Sequence, residues 1–152
     1  MTAKARGVAL PLVVTFSIQT AVALAVYCAP VLAPVAAPAL GMEPSAIGFF
    51  IAVTYIGSML GTVTSGGVVG RFGPIRVSQI GLCMSFIGLS FAGSGLLPLA
   101  VLGAFVLGLG YGPSTPASSV ILLKAAPPSM VAFTFSIKQT GVPVGAALAG
   151  VL

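Results

Sequence analysis

The positions of the charged residues restrict the folds that this chain can adopt, because three long segments contain no charge. Residues 7 to 42, 44 to 70 and 77 to 123 contain no charged side chain. About 20 consecutive apolar residues cross the hydrocarbon core of a bilayer as a helix. Only 5% of the chain is charged, whereas a soluble domain has about 25%. The chain is therefore predicted to be an all-α membrane protein.

Five membrane-spanning helices are predicted. The segment 77 to 123 is long enough for two spans, with turn residues at Gly93, Gly95 and Pro98 between them. The predicted spans are residues 8–36, 46–69, 77–94, 97–122 and 130–152. A cleaved signal peptide is the alternative for the first span. Its apolar core is normally about 7 to 15 residues long, and the run from Val8 to Val26 is longer, which favours a retained helix.

Cationic side chains flank the predicted spans at every second connection. They are Lys4, Arg6, Arg71, Arg76 and Lys124. The single acidic residue, Glu43, lies between the first two spans. Because positive charge in short loops marks the cytoplasmic side, we expect a multi-pass protein of the plasma membrane or a bacterial inner membrane, with a cytoplasmic N-terminus. The net charge of +5 then reflects membrane topology and not nucleic-acid binding.

The composition argues against enzymatic chemistry. The chain has no histidine and one acid, and no serine or cysteine has a plausible base beside it. No catalytic residue, metal site or cofactor is therefore expected. Cys28 and Cys83 are predicted to lie towards opposite faces of the membrane, too far apart for a disulfide.

Glycines are spaced for close helix packing in two predicted spans. Gly57 and Gly61 share a face of the second span, and Gly141 and Gly145 share a face of the fifth. A specific functional role is the alternative for each pair. In residues 108–116, three alternating glycines and two prolines are expected to loosen the fourth helix, so that nearby hydroxyls or a watery cavity must satisfy the freed carbonyls.

A short basic loop joins the second and third predicted spans. Residues 66–76 read Gly-Gly-Val-Val-Gly-Arg-Phe-Gly-Pro-Ile-Arg. This resembles the signature loop of the major facilitator superfamily of transporters, where a glycine and three residues precede Asp-Arg, any residue, a glycine and basic residues. Four residues keep that register: Gly66, Arg71, Gly73 and Arg76. The resemblance implies a gating loop, but Gly70 replaces the usual aspartate, and anchoring of the arginines to anionic lipid is the alternative.

Two further stretches resemble helices of the same family. Residues 108–113 are similar to its glycine-rich fourth helix, and residues 138–145 are similar to a segment of its fifth. The resemblance covers the whole chain but only five of the usual twelve helices. It implies the fold of the N-terminal bundle and secondary active or facilitative transport of a small solute by alternating access.

The resemblance also implies that other parts are needed for transport. The chain ends inside a predicted helix at Leu152, so residues 1–152 are expected to be a truncated part of an N-terminal bundle. Its expected partners are the lipid bilayer, a small-molecule substrate and the missing C-terminal half or partner helices. No nucleic-acid partner is expected.

Lys138 is the one charged residue placed inside a predicted span. Ionisable groups at membrane depth are costly and often functional, which suggests binding of an anionic substrate. The alternative is that its long side chain reaches the headgroups, since eight residues of helix span only about 12 Å.

Other polar side chains within the spans are candidates for contact with substrate. They are Gln19, Tyr55, Tyr111, Ser114 and Gln139. An interhelical hydrogen bond is the alternative for Gln19, packing for the tyrosines, and a bond to its own helix for Ser114.

A non-transporting membrane subunit is the main alternative function. Such a subunit would bind partner helices through the glycine faces of its second and fifth spans and would need no polar cavity.

Overall fold

The computed structural model describes residues 3–39 and 41–151 of the chain. Over these residues the fold is all-helical, as predicted, and contains no strand. The α-helices in chain order are α1 (Ala3–Ala39), α2 (Ile47–Phe72), α3 (Pro74–Ala92), α4 (Leu97–Tyr111), α5 (Ser114–Ala125), α6 (Val131–Gln139) and α7 (Gly141–Ala149). Short 3₁₀ turns at Pro44–Ala46 and Pro128–Met130 precede α2 and α6.

Within the described ranges, four stretches of helix are long and apolar enough to cross a membrane. They are Gly7–Leu32, Ile47–Phe72, Pro74–Ala92 and Leu97–Ala125. The prediction of five spans therefore exceeds what the described residues support by one. The predicted end of the fifth span, Leu152, lies outside the described residues, as do the side chains of Lys4 and Arg6.

The predicted fifth span is divided at Thr140 into two helices of nine residues each, α6 and α7. Pro143 gives the physical reason, because it has no N–H and its ring clashes with the carbonyl four residues earlier. That residue is Gln139, where α6 ends. Nine residues of helix measure about 13 Å, less than half of the roughly 30 Å of hydrocarbon in a bilayer.

The surface and interior of the bundle are reversed relative to a soluble protein. Large apolar side chains point outwards: Val63 is 78% exposed and Phe86 is 74% exposed. Small and polar residues are buried, among them Thr54 and Ser85. Lipid solvates an apolar exterior, while small interior residues let helices approach closely. This arrangement is that of a multi-pass membrane protein.

Helix α4 packs between α2 and α3, and glycines form its contact with α3. A Cβ atom added at Gly81 would lie 2.8 Å from the carbonyl oxygen of Gly110, and one at Gly88 would lie 2.8 Å from that of Gly103. No real side chain fits at such distances. Because the higher number on α3 faces the lower number on α4, the two helices run antiparallel.

Gly57 and Gly61 of α2 lie against the other side of α4. A Cβ at Gly57 would meet the Phe105 carbonyl and lie 3.1 Å from the Leu109 nitrogen. A Cβ at Gly61 would lie 2.9 Å from the Leu109 oxygen and 3.0 Å from Pro113 Cδ. The residue numbers rise together along this contact, so α2 and α4 run parallel.

Helix α1 packs along α7 and also contacts α3, α5 and α6. At Gly141 a Cβ would lie 3.0 Å from the Phe16 oxygen, and at Gly145 it would lie 2.8 Å from Ala23 Cβ and from the Leu24 nitrogen. Helices α1 and α7 therefore run parallel.

At the junction of α4 and α5, a carbonyl group that a proline leaves without its helical donor finds another hydrogen-bond partner. Pro116 has no N–H, so the carbonyl of Gly112, four residues earlier, loses its usual donor. The Thr62 hydroxyl on α2 lies 3.2 Å from this oxygen and 2.8 Å from the Ser58 carbonyl oxygen of its own helix, so its single proton is shared between the two acceptors. The hydroxyls of Ser114 and Ser118 instead bond carbonyls of α4 and α5 within four residues of themselves. The partner for the freed carbonyl therefore comes from a neighbouring helix.

We predict that Gly57→Ala lowers the free energy of unfolding by about 1–3 kcal/mol, the usual cost of overpacking. Alanine is the better helix former, so helix propensity alone would raise the free energy of unfolding. Gly67→Ala on the same helix is the matched control, because nothing lies within 4 Å of a Cβ there. Thermal unfolding of both variants in detergent measures the difference, and equal midpoints would show that α4 does not touch Gly57.

We predict that Thr62→Val lowers the free energy of unfolding by about 0.6–1.7 kcal/mol, the range of single interhelical hydrogen bonds in membranes. The substitution preserves the shape of the side chain and removes its bond to Gly112. Thr64→Val is the control, because the Thr64 hydroxyl bonds only carbonyls of its own helix, Leu60 and Gly61. Denaturant titration in detergent compares them, and an equal loss in both would contradict the bridging role of Thr62.

Candidate functional site

Lys138 lies near the end of α6 with its side chain inside the bundle. It is 1% exposed and is the largest fully buried side chain in the part of the chain that the structure describes. Its Nζ donates to the carbonyl oxygen of Thr115 at 3.2 Å and lies 6.0 Å from the centroid of the Phe135 ring, one helical turn earlier. The aromatic face offers a weak cation–π attraction. The structure thus directs the ammonium towards α5 and away from the lipid-facing surface.

Gln19 of α1 meets the same threonine. Gln19 is 1% exposed, and the Thr115 hydroxyl donates to its Oε1 at 3.4 Å. Its Nε2 atom is buried without a hydrogen-bond partner, and so is Oγ1 of the neighbouring Thr20. Since buried polar atoms are nearly always paired, two unpaired ones side by side distinguish this position. Thr115 of α5 therefore contacts both Gln19 of α1 and Lys138 of α6.

Two of the other candidates, Tyr55 and Tyr111, lie on α2 and α4. Tyr55 on α2 and Tyr27 on α1 line one cavity of about 220 Å³. Tyr111 is the last residue of α4. Among the predicted site residues, the structure therefore brings Gln19 and Lys138 together around Thr115.

Ser114 and Gln139 are placed differently. The Ser114 hydroxyl donates to the Gly110 carbonyl at 3.0 Å, and its oxygen lies 3.3 Å from where a Cβ at Gly81 of α3 would be. It therefore faces a helix contact. Gln139 is exposed at the last position of α6, beside Lys138 in sequence.

The signature-loop residues lie at the tight junction of α2 and α3. Gly73 alone connects the two helices and has a φ of 81°, a left-handed value that glycine adopts without steric cost. Arg71 and Arg76 are exposed, and the Arg71 guanidinium lies 5.5 Å from the centroid of the Phe72 ring. Gly66 has open space around it.

The group around Thr115 is suited to holding negative charge. It offers the Lys138 ammonium, an unpaired amide N–H₂ and an unpaired hydroxyl. The only acidic side chain of the sequence, Glu43, belongs to the connection between α1 and α2. A buried lysine without an acidic partner in its helix can attract an anion.

Thr115 and Thr20 were not among the residues predicted for the site. A sequence signal existed for Thr115, because it stands between Pro113 and Pro116, where the helix was expected to loosen. No signal separated Thr20 from the other small polar residues of the first span. The structure places Thr20 against α7. A Cβ atom added at Gly141 would lie 3.1 Å from Thr20 Oγ1.

An all-helical membrane bundle with a buried cation and unpaired donors has the features of a solute carrier. The sequence model of the Major Facilitator Superfamily matches residues 15–152, which is most of the chain. No curated protein and no solved structure matches it. The chain belongs to the Major Facilitator Superfamily, whose members transport small solutes across membranes.

We predict that Lys138→Met stabilises the protein by about 1–3 kcal/mol when no anion is added, since lysine at the centre of a membrane helix costs about 2.5–3.5 kcal/mol. Lys124→Met is the control, because Lys124 is exposed near the end of α5 and should change stability little. Thermal unfolding in detergent without added organic anions measures both. A marked loss of stability in Lys138→Met alone would mean that the bond to Thr115 is mainly structural.

Proposed function

We propose that this chain forms one helical bundle of a permease that carries a small anionic solute by alternating access, in secondary active or facilitative transport. The observation that carries the proposal is Lys138, a cation buried at 1% exposure beside unpaired donors. A membrane protein tolerates the cost of such a charge where it serves a substrate or ion pathway. Membership of the family indicates transport of a small solute. The positive charge of Lys138 supports a negatively charged solute.

The helix breaks support a binding role for the same position. Helices α4 and α5 are separated next to Thr115, and α6 and α7 are separated next to Lys138. Transporters commonly bind substrates where membrane helices are discontinuous, because free backbone groups and half-helix ends are available there. We propose that α6 and α7 together form a fifth, broken passage of the membrane. The parallel course of α7 with α1 supports this.

The orientation follows from charge. Arg71 and Arg76 at the α2–α3 junction and Lys124 near the end of α5 would lie on the cytoplasmic side. The N-terminus would then be cytoplasmic, in a plasma membrane or bacterial inner membrane. In this orientation the junction with Gly66, Arg71, Gly73 and Arg76 is the proposed cytoplasmic gating loop.

A second bundle is needed to complete the proposed carrier. Alternating access requires two bundles that rock around a site between them. Thr115 and Gln139 are exposed although they adjoin the buried Gln19 and Lys138, so the polar group reaches the surface of this bundle. We propose that the C-terminal half of the permease, or partner helices, cover this surface and provide any carboxylate needed for proton coupling.

Cysteine accessibility separates transport from a non-transporting subunit, because a carrier must admit water to its site. In a background with Cys28→Ala and Cys83→Ala, single cysteines at Gln19, Tyr111 and Lys138 are exposed to a charged, membrane-impermeant thiol reagent in intact membranes. We expect all three to react. A cysteine at Val63, which is 78% exposed on the apolar surface, is the control and should resist, because lipid excludes a charged reagent.

The converse pattern would contradict the proposal. If positions 19, 111 and 138 all resist while a cysteine at the exposed Lys124 reacts, then no watery cavity reaches the site. The chain would then be better described as a subunit that packs with partner helices through its glycine faces.

A further inference from the structure

We propose that Lys138, Gln19 and Thr20 form a binding site for the carboxylate group of an organic acid, between α1 and the junction of α6 and α7. The inference rests on the proposed transport of an anion and names the chemical class of that anion.

Two buried donors at this position have no acceptor. Gln19 Nε2 and Thr20 Oγ1 are the atoms concerned, and no hydrogen-bond partner within the described residues reaches either. Leaving a buried donor unpaired destabilises a fold, so such groups usually have a partner that completes them. The Gln19 oxygen already accepts from the Thr115 hydroxyl, so its amide N–H₂ group is what remains for a ligand.

Lys138 is held loosely where it lies. Its Nζ donates to the Thr115 carbonyl at 3.2 Å, and the same oxygen accepts from the Ser119 hydroxyl at 2.8 Å. The Ser118 hydroxyl is also 3.0 Å from this oxygen but lies closer to the Ser114 carbonyl. An ammonium has three donors, so two of those on Lys138 remain for a ligand. An incoming anion would gain its free donors without first breaking an ion pair.

The three groups converge because two helix contacts bring them together. Lys138 and Gln19 both touch Thr115, one through its carbonyl and the other through its hydroxyl. Three residues after Lys138, the backbone of Gly141 lies against α1. A Cβ there would be 3.2 Å from Gln19 Cβ and 3.1 Å from Thr20 Oγ1.

Helix α7 begins at Gly141 and is nine residues long, so its positive end faces the same place. The unpaired amide of Gln19 is the independent sign that this helix end lies beside a ligand site. The Lys138 ammonium and the Gln19 amide are donors at this position that a ligand could use.

The donor set fits a carboxylate better than other anions. A carboxylate has two oxygens and about four lone-pair positions, so one oxygen can accept from Lys138 while the other accepts from Gln19 or Thr20. Its single negative charge is neutralised by a single lysine. A phosphate group carries about −1.5 to −2 at neutral pH and is typically bound by several cations or by bidentate arginine. Chloride offers one acceptor atom, whereas a carboxylate offers two oxygens to donors that lie apart.

The test uses the 152-residue chain in detergent or nanodiscs. Its thermal unfolding is followed while sodium acetate, propionate, benzoate and succinate are titrated at constant ionic strength. Sodium chloride, sodium phosphate and neutral propionamide are the comparison probes. We expect at least one carboxylate to raise the midpoint saturably, because a ligand of the native state stabilises it. Propionamide and chloride should leave the midpoint unchanged.

Variants at Lys138 and Gln19 assign the effect to the proposed residues. Lys138→Met and Gln19→Leu should each weaken the apparent affinity for that carboxylate about tenfold to hundredfold, as expected for loss of a hydrogen bond to a charged group. Lys138→Arg should retain part of the binding. Lys124→Met should retain all of it. If Gln19→Leu does not fold, Thr20→Val tests the second unpaired donor.

The outcomes separate this inference from the proposed function. Preferential stabilisation by phosphate or chloride would overturn the carboxylate site and leave an anion carrier standing. Carboxylate binding that survives both Lys138→Met and Gln19→Leu would overturn the assignment to these residues. If no anion stabilises the chain, both the carboxylate site and the anionic substrate are wrong, while the accessibility of the cavity is decided separately by the cysteine labelling.

Discussion

Contact between helix backbones at glycine is the interaction on which the rest of this bundle depends. In lipid, apolar side chains gain little from burial against each other, so helices associate by close approach and by hydrogen bonds. Helix α4 meets both neighbours in this way. It presents Gly108 and Gly112 to α2, and Gly103 and Gly110 to α3. These contacts fix the three helices as a unit and bring α2 near enough for Thr62 to bond the freed Gly112 carbonyl.

The proline breaks position the polar group. The break at Pro113 and Pro116 ends α4 and starts α5 close to Thr115, and the break before Pro143 separates α6 from α7 just after Lys138. The Gly141 contact then holds this second break against Gln19 and Thr20. Because each interruption is buried against another helix, the bundle tolerates irregular backbone where lipid would not.

The proposed site carries a cost in stability. A buried lysine with one long hydrogen bond and two unpaired donors beside it is unfavourable for folding alone. Such local conflicts typically mark positions kept for binding. The cavity of about 220 Å³ between α1 and α2 is lined by Tyr27 and Tyr55 among mainly apolar residues.

The sequence by itself determined the membrane class, the limits of four spans to within a few residues and the glycine faces, since these depend on composition and local spacing. It also placed Lys138 inside the fifth predicted span. Only the tertiary structure decided that Lys138 turns to Thr115 and Gln19, that Ser114 faces α3, and that the last segment divides at Thr140. Thr115 and Gln19 are 96 residues apart, and helical periodicity carries no information on which faces of distant helices meet. Packing of the glycine contacts, with the backbone constraints of proline, determines that choice.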